Sequence, residues 1–269
     1  MIKRFLVWWT NKYPKTSRQV KKPKKYKLNI KASKLDIRDD FYEQVETEAV
    51  TYPDAIDYSE FVPPIKDQGD ISSCGSHAAI TGLETLERMN NPEWYVSLSE
   101  LFHYWQVRQP DYDDSFPEDD GQTGRSAMKV LANIGATTEK LYPYDTLQYN
   151  TLPPLAGFVA RFWRLAEYNR CWSLLGIKEA LQNKKVVWLG MPINAAFIKG
   201  TSGVINFNKY DVSKGGHAVL VVGYSDTKQA LKIVNSWGYD WGQNGFAYIS
   251  YQYLYNVQWF EAWALNHKR

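Results

Sequence analysis

A chain of 269 residues with 44% hydrophobic and 15% aromatic content is long enough to bury a full core, which excludes an intrinsically disordered polypeptide. Its two cysteines exclude a disulfide framework and fit a reducing compartment. The net charge of +3 conceals an asymmetry, because residues 1–35 hold twelve Lys or Arg and no acid, leaving 20 basic against 29 acidic groups in the remainder.

The chain therefore reads as a basic arm on an acidic body. The stretch "RQVKKPKKYK" (18–27) suits weak contact with nucleic acid, an anionic membrane or the body's own acidic face; the plainest expectation is a solvated or self-docked arm. The opening "MIKRFLVWWTNKY" has an apolar run of only five residues, Phe5 to Trp9, short of the about 7–15 of an export signal. No later stretch reaches the ~18 apolar residues of a spanning helix. The expectation is a cytoplasmic or virion-associated protein: arm and acidic lead-in over 1–51, a compact domain over 52–265, and a tail at 266–269.

From Tyr52 onward the pattern becomes that of a packed domain. "SSCGSHAAITGLETLERMNNPEW" carries a serine N-cap candidate at Ser72 or Ser73, apolar positions at Ala79, Leu83 and Leu86, and a stop at Asn90–Asn91–Pro92. A second helix is expected in "SLSELFHYWQVRQP", with Ser97 and Glu100 at capping-box spacing and Pro110 as terminator. Residues 111–124 form an acidic loop, expected to be solvated. A third helix, "RSAMKVLANIG", ends at Gly135. After a short helix near "GIKEALQNKK" come strand-like runs: "VVWLGMPI", "GHAVLVVGY", "ALKIVNSW" and "GFAYISYQYL". Helices in one half and strands in the other predict an α+β fold of two lobes, about 52–150 and 151–265, with a site in the cleft between them.

Within the strand-rich half, "SDTKQ" is a turn between "AVLVVGY" and "ALKIVNS". Antiparallel pairing about residues 226–228 sets His217 opposite roughly 235–239, so that Asn235 and His217 share one sheet edge. A side-chain amide on one ring nitrogen fixes the imidazole tautomer and leaves the other for chemistry. Cys74 stands at a helix N-terminus, where the dipole and free N–H groups favour a thiolate. An amide at Gln68 and the Cys74 backbone N–H are together suited to bind an oxyanion.

These residues resemble the papain family of cysteine peptidases. "KDQGDISSC" resembles its Gln-Gly…Ser-Cys segment at the same six-residue step. "GGHAVLVVGY" resembles its His segment, and "NSWGYDWGQNGFAYI" its Asn-Ser-Trp-Gly…Trp-Gly…Gly signature. The likeness covers about 52–265. It implies a helical left lobe and an antiparallel β right lobe, and a peptidase with Cys74 as nucleophile, His217 as base and acid, Asn235 as orienter and Gln68 in the oxyanion hole. Trp237 would shield the His217–Asn235 contact, and Gly121 would line the substrate cleft. A peptide or protein is the implied partner, and neither cofactor nor metal is expected.

The chain departs from the family pattern in two places. Ile71 stands where many members carry a disulfide cysteine, and Gly75 where many carry tryptophan; the missing disulfides resemble the bacterial and phage branch. Several other readings stay open. Sliding the register puts His77 in the nucleophile's place and makes the protein an inactive scaffold. The same Cys–His chemistry also serves an amidase or transpeptidase on cell-wall or isopeptide bonds. Zinc on Cys74, His77 and His217 lacks a completing ligand. Cys171 reads as structural, His103 and His267 as ordinary histidines, and Trp241 as packing.

Overall fold

The computed structural model describes residues 26–40, 51–93, 95–151, 155–201, 203–211 and 213–267. The expectations for residues 1–25 and 41–50, most of the basic arm and most of the acidic lead-in, lie outside the described residues.

In chain order the elements are β1 (Ile30–Lys31), β2 (Ala55–Asp57), α1 (Cys74–Asn90), α2 (Glu100–Val107), β3 (Gln122–Thr123), α3 (Gly124–Asn133) and α4 (Ala156–Ala160). They continue as β4 (Glu167–Cys171), α5 (Leu174–Gln182), β5 (Val186–Ile193), α6 (Ala195–Lys199), β6 (Val204–Ile205) and β7 (Gly215–Ser225). The last are β8 (Ala230–Val234), β9 (Phe246–Ser250), α7 (Tyr251–Asn256) and β10 (Glu261–Asn266). The result is an α+β molecule with a helical lobe and a sheet lobe. Among the described residues no helix is long and apolar enough to cross a membrane.

The sheet lobe is built on β7, whose eleven residues are buried except near its two ends. Among the described residues eight strands join in the order β4-β10-β5-β7-β8-β9-β6, with β2 added beside β7. Strand β5 is buried along its whole length, as a continuous apolar run between two covered faces should be. One face packs α5 and α6 through Ile177, Leu181 and Phe197, and the other packs α1 and α3 through Leu83, Ala127 and Leu131. Gly82 brings α1 close to the sheet: a Cβ there would stand 2.7 Å from the Leu265 side chain. It would also stand 3.1 Å from the Leu220 side chain, which keeps α1, the helix that Cys74 opens, close to β7.

Two expectations need correction. The cap of α2 is Ser99, which accepts from the Phe102 N–H at 3.1 Å; the Ser97 carbonyl instead accepts from Glu139 N at 2.8 Å. Glu100 is thereby freed from capping and pairs with Lys66 in a buried cluster that includes Glu84. In the acidic loop Asp113 and Asp119 are built into the body, whereas Asp111, Asp114, Glu118 and Asp120 are exposed as expected. Asp113 accepts from the Ser126 hydroxyl at 2.7 Å, and Asp119 from the Ser72 N–H at 2.8 Å and the Tyr104 hydroxyl at 2.5 Å. A carboxylate within reach of several donors stays buried because each bond offsets part of its desolvation.

Candidate active site

Cys74 opens α1 and is fully buried. Ser73 stands at the N-cap but does not cap the helix with its side chain; its hydroxyl meets the Tyr144 hydroxyl at 2.6 Å. Burial pushes the Cys74 thiol up to about 12, while backbone N–H groups of Ala218, Gly75 and Cys74 itself pull the other way by stabilising the thiolate. Ala218 follows His217 on β7, so the amide that meets the Cys74 sulfur is the one next to the imidazole residue.

The ring of His217 is held by a single polar contact. Its Nε2 lies 2.7 Å from Asn235 Oδ1, and that oxygen also accepts from the Ser236 backbone N–H at 2.8 Å. A backbone N–H can only donate, so the amide orientation is settled and Nε2 must carry the proton. Nδ1 is then the bare nitrogen, and it is buried without a hydrogen-bond partner. Burial lowers the His217 pKa to about 4, against a smaller raising effect of Asn235. The register places Leu220 opposite Val234, which brings His217 and Asn235 to the same end of the β7–β8 hairpin, as the turn position predicts. Trp237 lies over the ring at 4.6 Å between centroids, and Phe197 meets it edge-on at 5.7 Å. Trp237 and Phe197 thus stand as two aromatic walls beside the ring.

Gln68 links the two lobes. Its Oε1 accepts from Ser236 Oγ at 2.9 Å and from the Trp237 indole N–H at 3.1 Å. With the carbonyl end fixed, the NH₂ group points toward the loop before α1, where one hydrogen reaches Ile71 O at 3.1 Å. An amide has two such hydrogens, which leaves the second available. The two departures from the family pattern also find a physical reason. Ile71 packs in an apolar cluster with Leu101, Phe102 and Tyr142, anchoring the loop without a disulfide. At Gly75 the Gln122 side chain occupies the space, within 2.9 Å of where a Cβ would stand, and the Trp188 indole donates to the Gly75 carbonyl at 2.9 Å.

The remaining polar candidates are engaged elsewhere. His77 donates from Nδ1 to the Ser73 carbonyl at 3.1 Å, and His103 uses both nitrogens, on Ser76 Oγ at 2.9 Å and Ala127 O at 3.0 Å. Cys171 ends β4 opposite Ala262. Among the described residues no cluster of three His, Cys, Asp or Glu side chains is placed to hold a metal ion.

The end of the arm, expected to be solvated or docked on the body's acidic face, runs over this site. Tyr26 stacks on Trp237 at 4.7 Å and donates its hydroxyl to the Trp237 carbonyl at 3.1 Å. Asn29 bridges in parallel to Gly216, beside His217, and its side-chain amide reaches Ser72 Oγ at 2.9 Å. Gly121, with φ of 80°, accepts this crossing: a Cβ there would lie 1.9 Å from the Asn29 carbonyl. The alternation of aliphatic and polar residues in "KLNIK" was the signal available; nothing in it named the cleft.

A family model described as "Papain family cysteine protease" matches residues 52–259. The chain belongs to the papain family of cysteine proteases. Among curated relatives it is 29% identical over 203 residues to an uncharacterized peptidase C1-like protein of Acanthamoeba polyphaga mimivirus, covering 70% of this chain and 64% of that one. It is 31% identical over 208 residues to chymopapain of Carica papaya, covering 75% and 56%. The chain thus spans between about half and two thirds of the length of these relatives. Among solved structures it is similar to xylellain, a cysteine protease from Xylella fastidiosa, with a TM-score of 0.76 and 27% identity over 93% of this chain and 99% of that one.

Proposed function

We propose that this papain-family chain is a cysteine peptidase in which Cys74 attacks the peptide carbonyl. His217 takes the thiol proton on Nδ1 and returns it to the leaving amine, then activates the water that hydrolyses the acyl-enzyme. Asn235 holds the ring in the Nε2–H tautomer. The second Gln68 amide hydrogen and the Cys74 backbone N–H bind the tetrahedral oxyanion. Trp237 and Phe197 keep water from the His217–Asn235 bond, and Gly121 offers backbone to the substrate. One observation carries the reading: a buried imidazole with one nitrogen committed to Asn235 and the other without a partner, one residue from the amide that meets the Cys74 sulfur.

The arm gives this site a resting state. With residues 26–30 across the cleft, burial keeps both partners neutral, the thiol well above neutrality and the imidazole well below it. Displacing the arm admits water and substrate, lowers the desolvation penalty on the thiolate and lets the proton transfer proceed. Catalytic hydrogen bonds of this kind tighten on substrate binding.

Hydrolysis of an unbiased peptide library by the full-length protein, beside its Cys74→Ala variant, tests this. Cleavage abolished in the variant supports the reading; equal cleavage by both removes it. Cleavage confined to cell-wall fragments would instead favour an amidase.

A further inference from the structure

We infer that Asp119 and Asp120 form an acidic wall that selects extended peptides carrying lysine or arginine four positions apart on one face, with aliphatic residues on the other. The inference deepens the peptidase reading, since it names the substrate class of that same site.

The arm serves as the imprint of such a peptide. Side chains on an extended chain alternate with period two, so Lys27, Asn29 and Lys31 share one face and Leu28 and Ile30 the other. All three polar side chains meet the acidic wall. Lys27 Nζ lies 2.6 Å from Asp119 Oδ2, Lys31 Nζ lies 2.5 Å from Asp120 Oδ2, and the Asn29 amide reaches the Asp119 carbonyl at 3.4 Å. The opposite face is apolar. Ile30 is buried beside Ala218 and Trp188, and Leu28 packs on the cluster that contains Trp237. Backbone pairing of β1 with β3 keeps the register, through Ile30 with Gln122 and Lys31 with Thr123.

The wall is prepared for a cation. Asp119 is fixed by the Ser72 N–H and the Tyr104 hydroxyl, both on Oδ1, so Oδ2 is left to face Lys27. Asp120 follows directly, its side chain more open, at 60% exposure. When the arm leaves, two adjacent carboxylates stand beside Gly121 without their lysines, on a body whose charge outside residues 1–35 is already negative. An incoming lysine or arginine restores the pairing, whereas an acidic residue at the same place meets like charge.

Binding is measured on the full-length chain carrying Cys74→Ala with Lys27→Gln and Lys31→Gln, which weaken its own arm's hold. The probes are a labelled hexapeptide of residues 26–31, Tyr-Lys-Leu-Asn-Ile-Lys, and the same peptide with glutamine for both lysines. Two ion pairs at this exposure predict the lysine peptide to bind roughly four- to twenty-fold tighter at low salt. Asp120→Asn should remove about two- to five-fold of that preference, and added salt should compress it. Equal affinity of the two probes, no binding of either, or a preference untouched by Asp119→Asn and Asp120→Asn overturns the inference. Lysine-dependent binding with no cleavage of any peptide by the Cys74 form would sink the peptidase reading and leave the wall standing.

Discussion

The two cysteines and two of the buried histidines of this molecule contrast sharply. On the sheet edge, Cys74 meets the Ala218 amide and His217 keeps Nδ1 without a partner. Away from it, Cys171 ends β4 within the apolar cluster of the sheet lobe, and His103, separately, on α2 of the helical lobe, is bonded through both nitrogens. Burial is equal: all four residues are essentially inaccessible, and both histidines are pushed down to about 4. What separates the reactive imidazole from the structural one is the unpartnered nitrogen, since a ring with both nitrogens bonded must give up a hydrogen bond to take a proton. At Cys74, three backbone N–H groups are placed to stabilise a thiolate.

Nucleophile deletion should break this contrast most visibly. Cys74→Ala is expected to lower kcat by about 10⁴-fold or more while Cys171→Ala leaves turnover within a small factor, read by steady-state kinetics on a peptide substrate. Comparable losses in the two variants would erase the distinction. Next in size is Gln68→Ala, expected to reduce kcat roughly 10²–10³-fold with a smaller change in KM, as loss of an oxyanion donor does. An effect on KM alone would assign Gln68 to substrate binding.

Acid stability probes His103, the histidine bonded through both nitrogens. His103 is held to about 4, below its ordinary 6.5, so between those values the unfolded chain binds more protons and stability is lost as pH falls from 6.5 to 4. Glu84 and Glu139, raised by burial to about 7, act in the opposite sense and lose stability as pH rises from 4.5 to 7. The wild-type curve is therefore a difference, and a variant isolates one member. His103→Gln should be less stable than wild type at neutral pH, and that deficit should shrink by about 3 kcal/mol on going to pH 4, measured by denaturant unfolding. A deficit independent of pH would contradict the burial of a neutral ring.

Much of this was legible in the sequence for a local reason. The turn at 226–228 fixes which residues of β7 and β8 face each other, so His217 and Asn235 follow from spacing alone. The six-residue step from Gln68 to Cys74 spans one loop, and α1 begins and ends where its apolar periodicity does. What was not legible depends on distant partners. Ser97 and Ser99 are equivalent as local caps, and the choice falls to Ser99 through the pairing of Leu98 with Thr138. Asp113 and Asp119 looked solvated because Ser72, Tyr104 and Ser126, which satisfy them, come from other segments. The arm's path over Gly121 and Gly216 needed three dimensions, although Gly121 itself was already a candidate.

The most direct measurement is the alkylation rate of each thiol by iodoacetamide, followed by peptide mass spectrometry on the full-length chain with Lys27→Gln and Lys31→Gln. Cys74 should label far faster than Cys171 near neutral pH, and His217→Ala should slow Cys74 alone. Equal labelling of the two cysteines, or a Cys74 rate indifferent to His217, would contradict an imidazole-activated sulfur.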